Sequence, residues 1–381
     1  MALNSVVLHV ADYAAPYPGA FIAQLGMLDE ELRRRGTGRC AFAFPPAAEG
    51  ATWFRRQQAD GSWVGIVHGS ANRSMLRTAR QLYEMVEETG ASIIHTHFGS
   101  YDLPAALAVG RMRRRDRSCC LLWHYRTALE EDVDRRSLRR RVKDVVRYRV
   151  PSRTVDSCFA VTDALAREAA LRGLGAKASA MIAGCDTEAF SPRPSVRDRV
   201  RAELGLQRDD VLVLHLGWAW RRKGGDLLVA AARMLQEKGL TRLVYVSVGA
   251  PAGNEPVRSL AFTDKVSDLH QAADIFVSAS RSEGFGNGVV EAMASGTVVV
   301  ATLAAGQREI FDGVDGCVAV PIADPVRLAE GIEDLLRRRS SWPALGAVNR
   351  AHVVSHYDMR SWARRMADMY EQLLRPGAVR R

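Results

Sequence analysis

The sequence predicts an α/β protein built on two doubly wound parallel sheets. Short β-rich apolar runs alternate with amphipathic helical stretches along the whole chain, the pattern of parallel strands covered by helices. A chain of 381 residues exceeds what one hydrophobic core organises, so two domains of roughly 150–200 residues are expected. Between the two alternating halves, Phe190–Asp210 contains Ser191-Pro192-Arg193-Pro194, which breaks regular structure. The boundary is therefore placed near Pro194, giving domains 1–193 and 194–357 ahead of a final helical stretch, 358–381.

In the first half the expected strands are Val6–Val10, Ser92–His95, Cys119–Trp123 and Ser157–Val161, with helices including Ile22–Arg35, Arg73–Thr89 and Pro104–Arg111. A short helix, Arg197–Leu204, follows the boundary. The second half offers Val211–Leu216, Leu243–Val248, Ile275–Ser278, Val298–Ala301 and Cys317–Val320 as strands, again separated by helical patterns. Pro325–Arg337 and Met359–Leu374 close the chain as helices. On the second, Trp362, Met366, Met369 and Leu373 recur at helical spacing.

With 47% hydrophobic and 25% charged residues, 31 Gly and 14 Pro, collagen-like, disordered and small disulfide-stapled architectures are excluded. No run approaches the roughly 20 apolar residues of a membrane span. The N-terminus MALNSVVLHVADY has no basic segment before an apolar one, so a cytoplasmic protein is expected. A formal charge of +10 favours anionic partners such as nucleotides, phosphorylated acceptors, nucleic acid or a membrane surface. Nearly all of this charge is arginine, a bias that a GC-rich bacterial genome produces without functional pressure. Nucleic-acid binding has charge alone behind it, without interleaved aromatics or a known module, and is not expected. Cys40, Cys119, Cys120, Cys158, Cys185 and Cys317 lack CxxC spacing and read as reduced, buried residues.

The segment richest in chemistry is Ile275-Phe-Val-Ser-Ala-Ser-Arg-Ser-Glu283-Gly-Phe-Gly-Asn-Gly-Val-Val-Glu291-Ala-Met-Ala-Ser-Gly296. It reads as a buried strand, a glycine-rich turn with an acid at its entry, and a helix carrying a second acid. Gly284, Gly286 and Gly288 let the backbone approach a ligand, and the new helix turns its N–H groups toward a phosphate. Glu291, one turn inside the helix, suits a ribose diol, while Glu283 faces the sugar or reacting centre. A plain strand–helix junction with two solvated acids is the alternative.

This segment resembles the retaining GT-B glycosyltransferases of group 1, or GT4, whose hallmark is EGFGxxxxEAMAxG. The stretch from Ala301 through Gly306 and Glu309 to Gly316 is similar to that family's continuation, with Val298 in place of a usual proline. Leu216-Gly217-Trp218-Ala-Trp220-Arg221-Arg222-Lys223-Gly224 resembles the family's G-R-x4-K-G loop, whose basic residues grip the donor diphosphate. Lys223 matches the lysine, Trp218 stands where arginine is usual, and Arg221 or Arg222 supplies the second cation. Met181–Phe190 looks like the segment that closes the first domain, and Phe262–Thr263 falls where the family holds the nucleotide base. In the first half, Tyr17-Pro18-Gly19-Ala20-Phe21 is similar to the family's glycine loop, reduced to Gly19 alone. His124 ends a strand where family members carry a histidine touching the donor sugar.

The resemblance implies two Rossmann-like domains facing a central cleft, acceptor on the first and donor on the second, with helix 358–381 packing back on the first. It implies a metal-independent, retaining, front-face transfer from a nucleotide sugar, UDP- or GDP-linked, to the hydroxyl of a lipid, polysaccharide or small natural product. Glu283 and His124 are the catalytic assignments; Gly19, Arg222, Lys223, Phe262, Gly284, Phe285, Gly286, Asn287 and Glu291 are the donor-binding ones. No cofactor is implied, since the nucleotide sugar is a substrate. A nucleotide-sugar epimerase, a sugar phosphorylase and a non-catalytic nucleotide-sugar-binding protein are the competing readings.

Two further patterns suggest metals. His95 and His97 share a strand face and, with His124, form a possible trio, but no carboxylate or cysteine supports it. Asp132-Val-Asp134 has a D-x-D form inside a charged helical stretch, not after a buried strand. No metal is expected at either. In 135–150, Val142, Val145, Val146 and Val150 form a stripe among arginines, which suits peripheral contact with the inner membrane face or an acidic acceptor. A solvated helix packed by its valines satisfies the same pattern.

Overall fold

The computed structural model describes residues 5–68, 74–129, 145–311 and 313–375. The chain forms two compact units: Met1–Ile182 with Arg360–Arg381, and Ala183–Met359. In the first, strands β1 (Ser5–Ala11), β2 (Gly38–Phe44), β3 (Trp63–Ile66), β4 (Ala91–His97), β5 (Cys120–Tyr125), β6 (Ser157–Ala160) and β7 (Ala178–Ala180) form one sheet. Their order is β3-β2-β1-β4-β5-β6-β7, and every pairing is parallel. All of β1 is buried because helices cover both faces of its sheet. On one face, helix Gly19–Arg35 contributes Phe21, Ile22, Leu25, Leu28 and Leu32, and helix Met359–Leu374 contributes Trp362, Met366 and Tyr370. These are i, i+3, i+4 and i+7 positions, so one apolar stripe of each helix is removed from water.

The second unit holds β8 (Val211–Leu216), β9 (Leu243–Val248), β10 (Val257–Leu260), β11 (Ile275–Ser278), β12 (Val298–Thr302) and β13 (Cys317–Val320). The order is β10-β9-β8-β11-β12-β13, again parallel. Its core runs from Val211 and Val213 through Leu228, Ala232 and Leu235 to Ile275, Val277, Val298, Val300 and Ile332. In each sheet the order reverses once, between β1 and β4 and between β8 and β11. Ligands of open α/β sheets bind outside the strand carboxyl ends at such reversals.

The expected strands are all present, several with unchanged bounds, and four further ones appear: β2, β3, β7 and β10. Three of these are edge or short strands without a two-sided apolar run; β10 exposes Arg258 and Ser259. Helix Trp342–His356 was likewise not expected. The division falls at Ile182, not Pro194, because the intervening segment is tied to the end of the second unit. The Cys185 N–H donates to the Tyr357 carbonyl at 2.7 Å, and the Met359 N–H donates to the Cys185 carbonyl at 2.9 Å. Thr187 Oγ1 adds a bond to Asp358 Oδ1 at 3.0 Å. Residues 135–144 of the basic stretch, Asp132, Asp134 and 376–381 lie outside the described residues. Among those described, no helix is long and apolar enough to cross a membrane.

Candidate active site at the sheet reversal of the second unit

Two strand–turn–helix connections meet beyond the carboxyl ends of β8 and β11. The first runs from Leu216 through Gly217–Gly224 into helix Gly225–Glu237, and the second from Ser278 through Ala279–Gly286 into helix Asn287–Ala294. They are fastened together by Arg281, which donates from both terminal nitrogens to Asp226 at 2.7 Å and from Nη1 to the Arg221 carbonyl at 2.5 Å. Arg222 Nη1 in turn donates to the Ser282 carbonyl at 3.2 Å. Each turn thus carries a cation that bonds the backbone of the other or of its flank.

Lys223 Nζ and Glu283 Oε1 form a direct ion pair between the turns, with side chains 15% and 8% exposed. Ser280 Oγ donates to the same carboxylate oxygen at 2.8 Å, and Arg222 Nη1 lies 3.8 Å from the other. Burial pushes the Glu283 carboxyl up, but Lys223 and then Arg222 and the Ser280 hydrogen bond outweigh it and hold the group below its ordinary value. Glu283 is ionised at neutral pH and does not serve as a proton donor there. His215 steadies the lysine turn. Its Nε2 contacts the Lys223 carbonyl at 3.1 Å, and a carbonyl only accepts, so the proton sits on Nε2. Nδ1 then accepts from Ser247 Oγ at 2.8 Å. Burial first, then the Lys223 charge, lower the His215 pKa to about 4 against the Lys223 carbonyl's opposing pull, which keeps the ring neutral.

Gly286 has φ 107°, a conformation closed to residues with a Cβ, and from it helix Asn287–Ala294 points its N-terminus into the same region. Gln307 supports the turn from below, donating from Nε2 to Ser278 Oγ at 2.5 Å, while Thr302 Oγ1 donates to the Ser280 carbonyl at 2.6 Å. Lys223, Glu283, Gly286 and Gly288 line one cavity with His215, Ser280 and Gln307. His215, Ser247, Thr302 and Gln307 were missed by sequence reasoning; the histidine inside an apolar strand was the one visible signal.

Glu291 is buried one turn into its helix, with Oε2 3.6 Å from His270 Nε2. Asn287 is exposed at the helix start. The Phe285 ring turns away from the cavity to pack on Tyr357 at 5.6 Å, so only its backbone is available to a ligand. Phe262 is 45% exposed and lies against Gly249. Trp218, at the position of the usual arginine, is 50% exposed and carries the Arg222 guanidinium 4.8 Å over its ring.

The remaining expected site residues belong to the first unit. Gly19 opens helix Gly19–Arg35 at φ 55°. The His124 ring is 1% exposed, stacked on His95 at 5.3 Å, and held neutral well below its ordinary pKa by burial and by Arg126. The three histidines whose ligand atoms approach within 4.8 Å of one another are His9, His95 and His97, so His9, not His124, completes the trio.

Residues 210–338 match the family model described as Glycosyl transferases group 1. D-inositol 3-phosphate glycosyltransferase 1 of Catenulispora acidiphila is 35% identical over 225 residues, 52% of this chain and 52% of that protein. The chain spans about half the length of the curated relatives it matches. A glycosyltransferase structure from Rickettsia africae superposes with a TM-score of 0.80 at 14% identity, covering 98% of this chain and 100% of that one. Anabaena HepE, in complex with UDP-glucose, gives 0.78 at 16% identity over 96% and 99%. The fold is GT-B, and the segment that holds Lys223, Glu283 and Glu291 is similar to the group 1 glycosyltransferases.

Proposed function

We propose that the protein is a retaining glycosyltransferase that moves a sugar from a UDP- or GDP-sugar to an acceptor hydroxyl. The observation that carries this is the buried Lys223–Glu283 pair, set beside a glycine-capped helix N-terminus at the sheet reversal of the second unit. Lys223 and Arg222 carry the donor diphosphate charge, and the dipole of helix Asn287–Ala294 adds to them. Gly284, Phe285, Gly286 and Asn287 offer backbone, Glu291 takes the ribose diol, and Phe262 lies along the base. Glu283, ionised, orients the sugar.

The diphosphate is already a good leaving group, so the protein's part is placement and charge stabilisation. The anomeric C–O bond to phosphate breaks, the acceptor oxygen bonds to the anomeric carbon on the same face, and the acceptor proton passes to the departing phosphate oxygen. The transition state has oxocarbenium character. Two side-chain cations and a helix N-terminus supply the charge this needs, so the reading calls for neither metal nor cofactor. The UDP-glucose complex of HepE supports a uridine donor, and the inositol phosphate relatives support a polyol acceptor. A bacterial, cytoplasmic setting, with the 135–150 stretch meeting the membrane face, completes it.

A panel of UDP-, GDP-, ADP- and dTDP-sugars with EDTA present tests the donor site. One nucleotide is expected to raise the melting temperature, with a gain of about 2.7 kcal/mol at a hundredfold excess over Kd. Glu291→Ala is expected to lose that shift. A wild-type protein that responds to none of the donors overturns the reading.

A further inference from the structure

The turn Gly217–Gly224 carries two tryptophans with different surroundings. Trp220 is a packing residue: a Cβ on Gly225 would sit 2.2 Å from its ring, and its ring meets that of His215 at 6.1 Å. Trp218 is 50% exposed, and what lies over its ring is charge, the Arg222 guanidinium carbon at 4.8 Å and Lys223 Nζ at 5.5 Å. Both distances fall inside the roughly 6 Å within which the negative face of an aromatic ring attracts a cation.

This ring separates the two arginines of the turn. Arg221 is exposed, and its charge acts, after that of Arg281, on Asp226. Arg222 is held at three points: the Trp218 face, the Ser282 carbonyl that accepts from Nη1 at 3.2 Å, and Glu283 Oε2 at 3.8 Å. A carboxylate in contact would fix a guanidinium but would also neutralise it. An indole face fixes it and leaves the charge available to an anion. Glu283 pairs directly with Lys223 and stands off from Arg222, so Arg222 is the less neutralised of the two cations. Its side chain is 38% exposed, which leaves it open to a ligand.

A long side chain on an exposed turn has many rotamers, and ordering it when a ligand binds lowers affinity. A ring already stacked on the guanidinium reduces that cost. We propose that Trp218 is a positioning residue of the donor site, whose indole face holds Arg222 beside Lys223 so that both cations are in place when a nucleoside diphosphate group arrives. The proposal rests on the transferase reading for calling the ligand a nucleoside diphosphate; the stacking itself does not depend on that reading.

The test is calorimetric titration of the full chain with UDP and with GDP in EDTA, for the wild type, Trp218→Leu, Trp218→Tyr, Arg222→Ala and the Trp218→Leu/Arg222→Ala double variant. Trp218→Leu is expected to weaken the nucleotide that binds roughly three- to fivefold, while Trp218→Tyr, which keeps a ring face, stays within about twofold of the wild type. Arg222→Ala is expected to weaken it further, because the charge itself is gone. Adding Trp218→Leu to Arg222→Ala is then expected to change little, since the ring has lost the guanidinium it holds. Without ligand, Trp218→Leu is expected to melt within about 2 °C of the wild type, as a half-exposed side chain outside the core should. A Trp218→Leu variant that binds like the wild type, a Trp218→Tyr variant as weak as Trp218→Leu, or additive losses in the double variant overturns the positioning role and leaves the donor site standing. A wild type that binds neither nucleotide overturns the donor reading and the positioning role with it, so the wild-type titration tells the two failures apart.

Discussion

Lys223→Ala is expected to destabilise the second unit by about 3–5 kcal/mol, because it strands the Glu283 carboxylate in a nearly dry site. The carboxylate would keep Ser280 Oγ at 2.8 Å and the distant Arg222 at 3.8 Å, neither of which replaces an ammonium in contact. The sign of the pH dependence separates this from simple loss of packing. In the wild type Glu283 sits below its ordinary value of 4.5, so the pair's stabilisation is present above that pH and is lost as pH falls through the lower folded value. Without Lys223, burial dominates and raises the folded value, so the variant gains relative stability on acidification. Urea denaturation of both proteins at pH 7 and pH 5 reads this directly: the gap between them should narrow at pH 5. Glu283→Gln in the Lys223→Ala background should recover much of the loss, since the orphaned charge is gone. Neither variant should transfer sugar, because the donor diphosphate has lost its cation or the sugar its anchor. A gap that stays constant between the two pH values would mean that Lys223 contributes packing and not charge.

How much of this was legible in the sequence follows from how local each signal is. The strands β8, β9 and β11 coincide with their apolar runs because they are short, bounded by turn residues and covered on both faces. The edges β3, β7 and β10 were invisible, since a strand such as Ala178-Ser179-Ala180 holds its place by backbone pairing and has no apolar pattern to show. At the site, Glu283 and Glu291 were readable from spacing within one strand–turn–helix unit. The partner of Glu291 was not: His270 comes from the preceding helix, Val266–Ala272, and meets the carboxylate only once the helices pack. The same holds for the imidazole cluster. His9 reads as one polar residue in an apolar run, and only the register His9↔His95 and His97↔His124 brings three strands' histidines together. Arg126 looks like any other arginine of a basic chain until its bonds to Gln24 and His97 are seen.

Gly224→Ala is expected to have an effect of similar size by a purely steric route. Gly224 has φ 70°, and a Cβ there would sit 1.9 Å from the Ala279 carbonyl oxygen and 2.7 Å from its carbonyl carbon. The left-handed conformation alone costs an alanine about 1–2 kcal/mol, and forcing the contact apart adds roughly 1–3 kcal/mol. Ala279 cannot yield cheaply: it is fully buried at the end of β11, and the chain beyond it is held by the Ser280 and Arg281 bonds. The two turns must therefore separate, which pulls Lys223 from Glu283 and withdraws the cation from the donor diphosphate. Gly239→Ala is the control, because Gly239 has φ 82° but nothing within 4 Å of a new Cβ, so only the conformational cost applies. Urea midpoints of the two variants, with the donor-induced thermal shift of each, decide the matter. Gly224→Ala should lose roughly twice or more the stability that Gly239→Ala loses, and only Gly224→Ala should lose the donor response. Equal losses in the two would show that the close approach of the turns does not constrain this site.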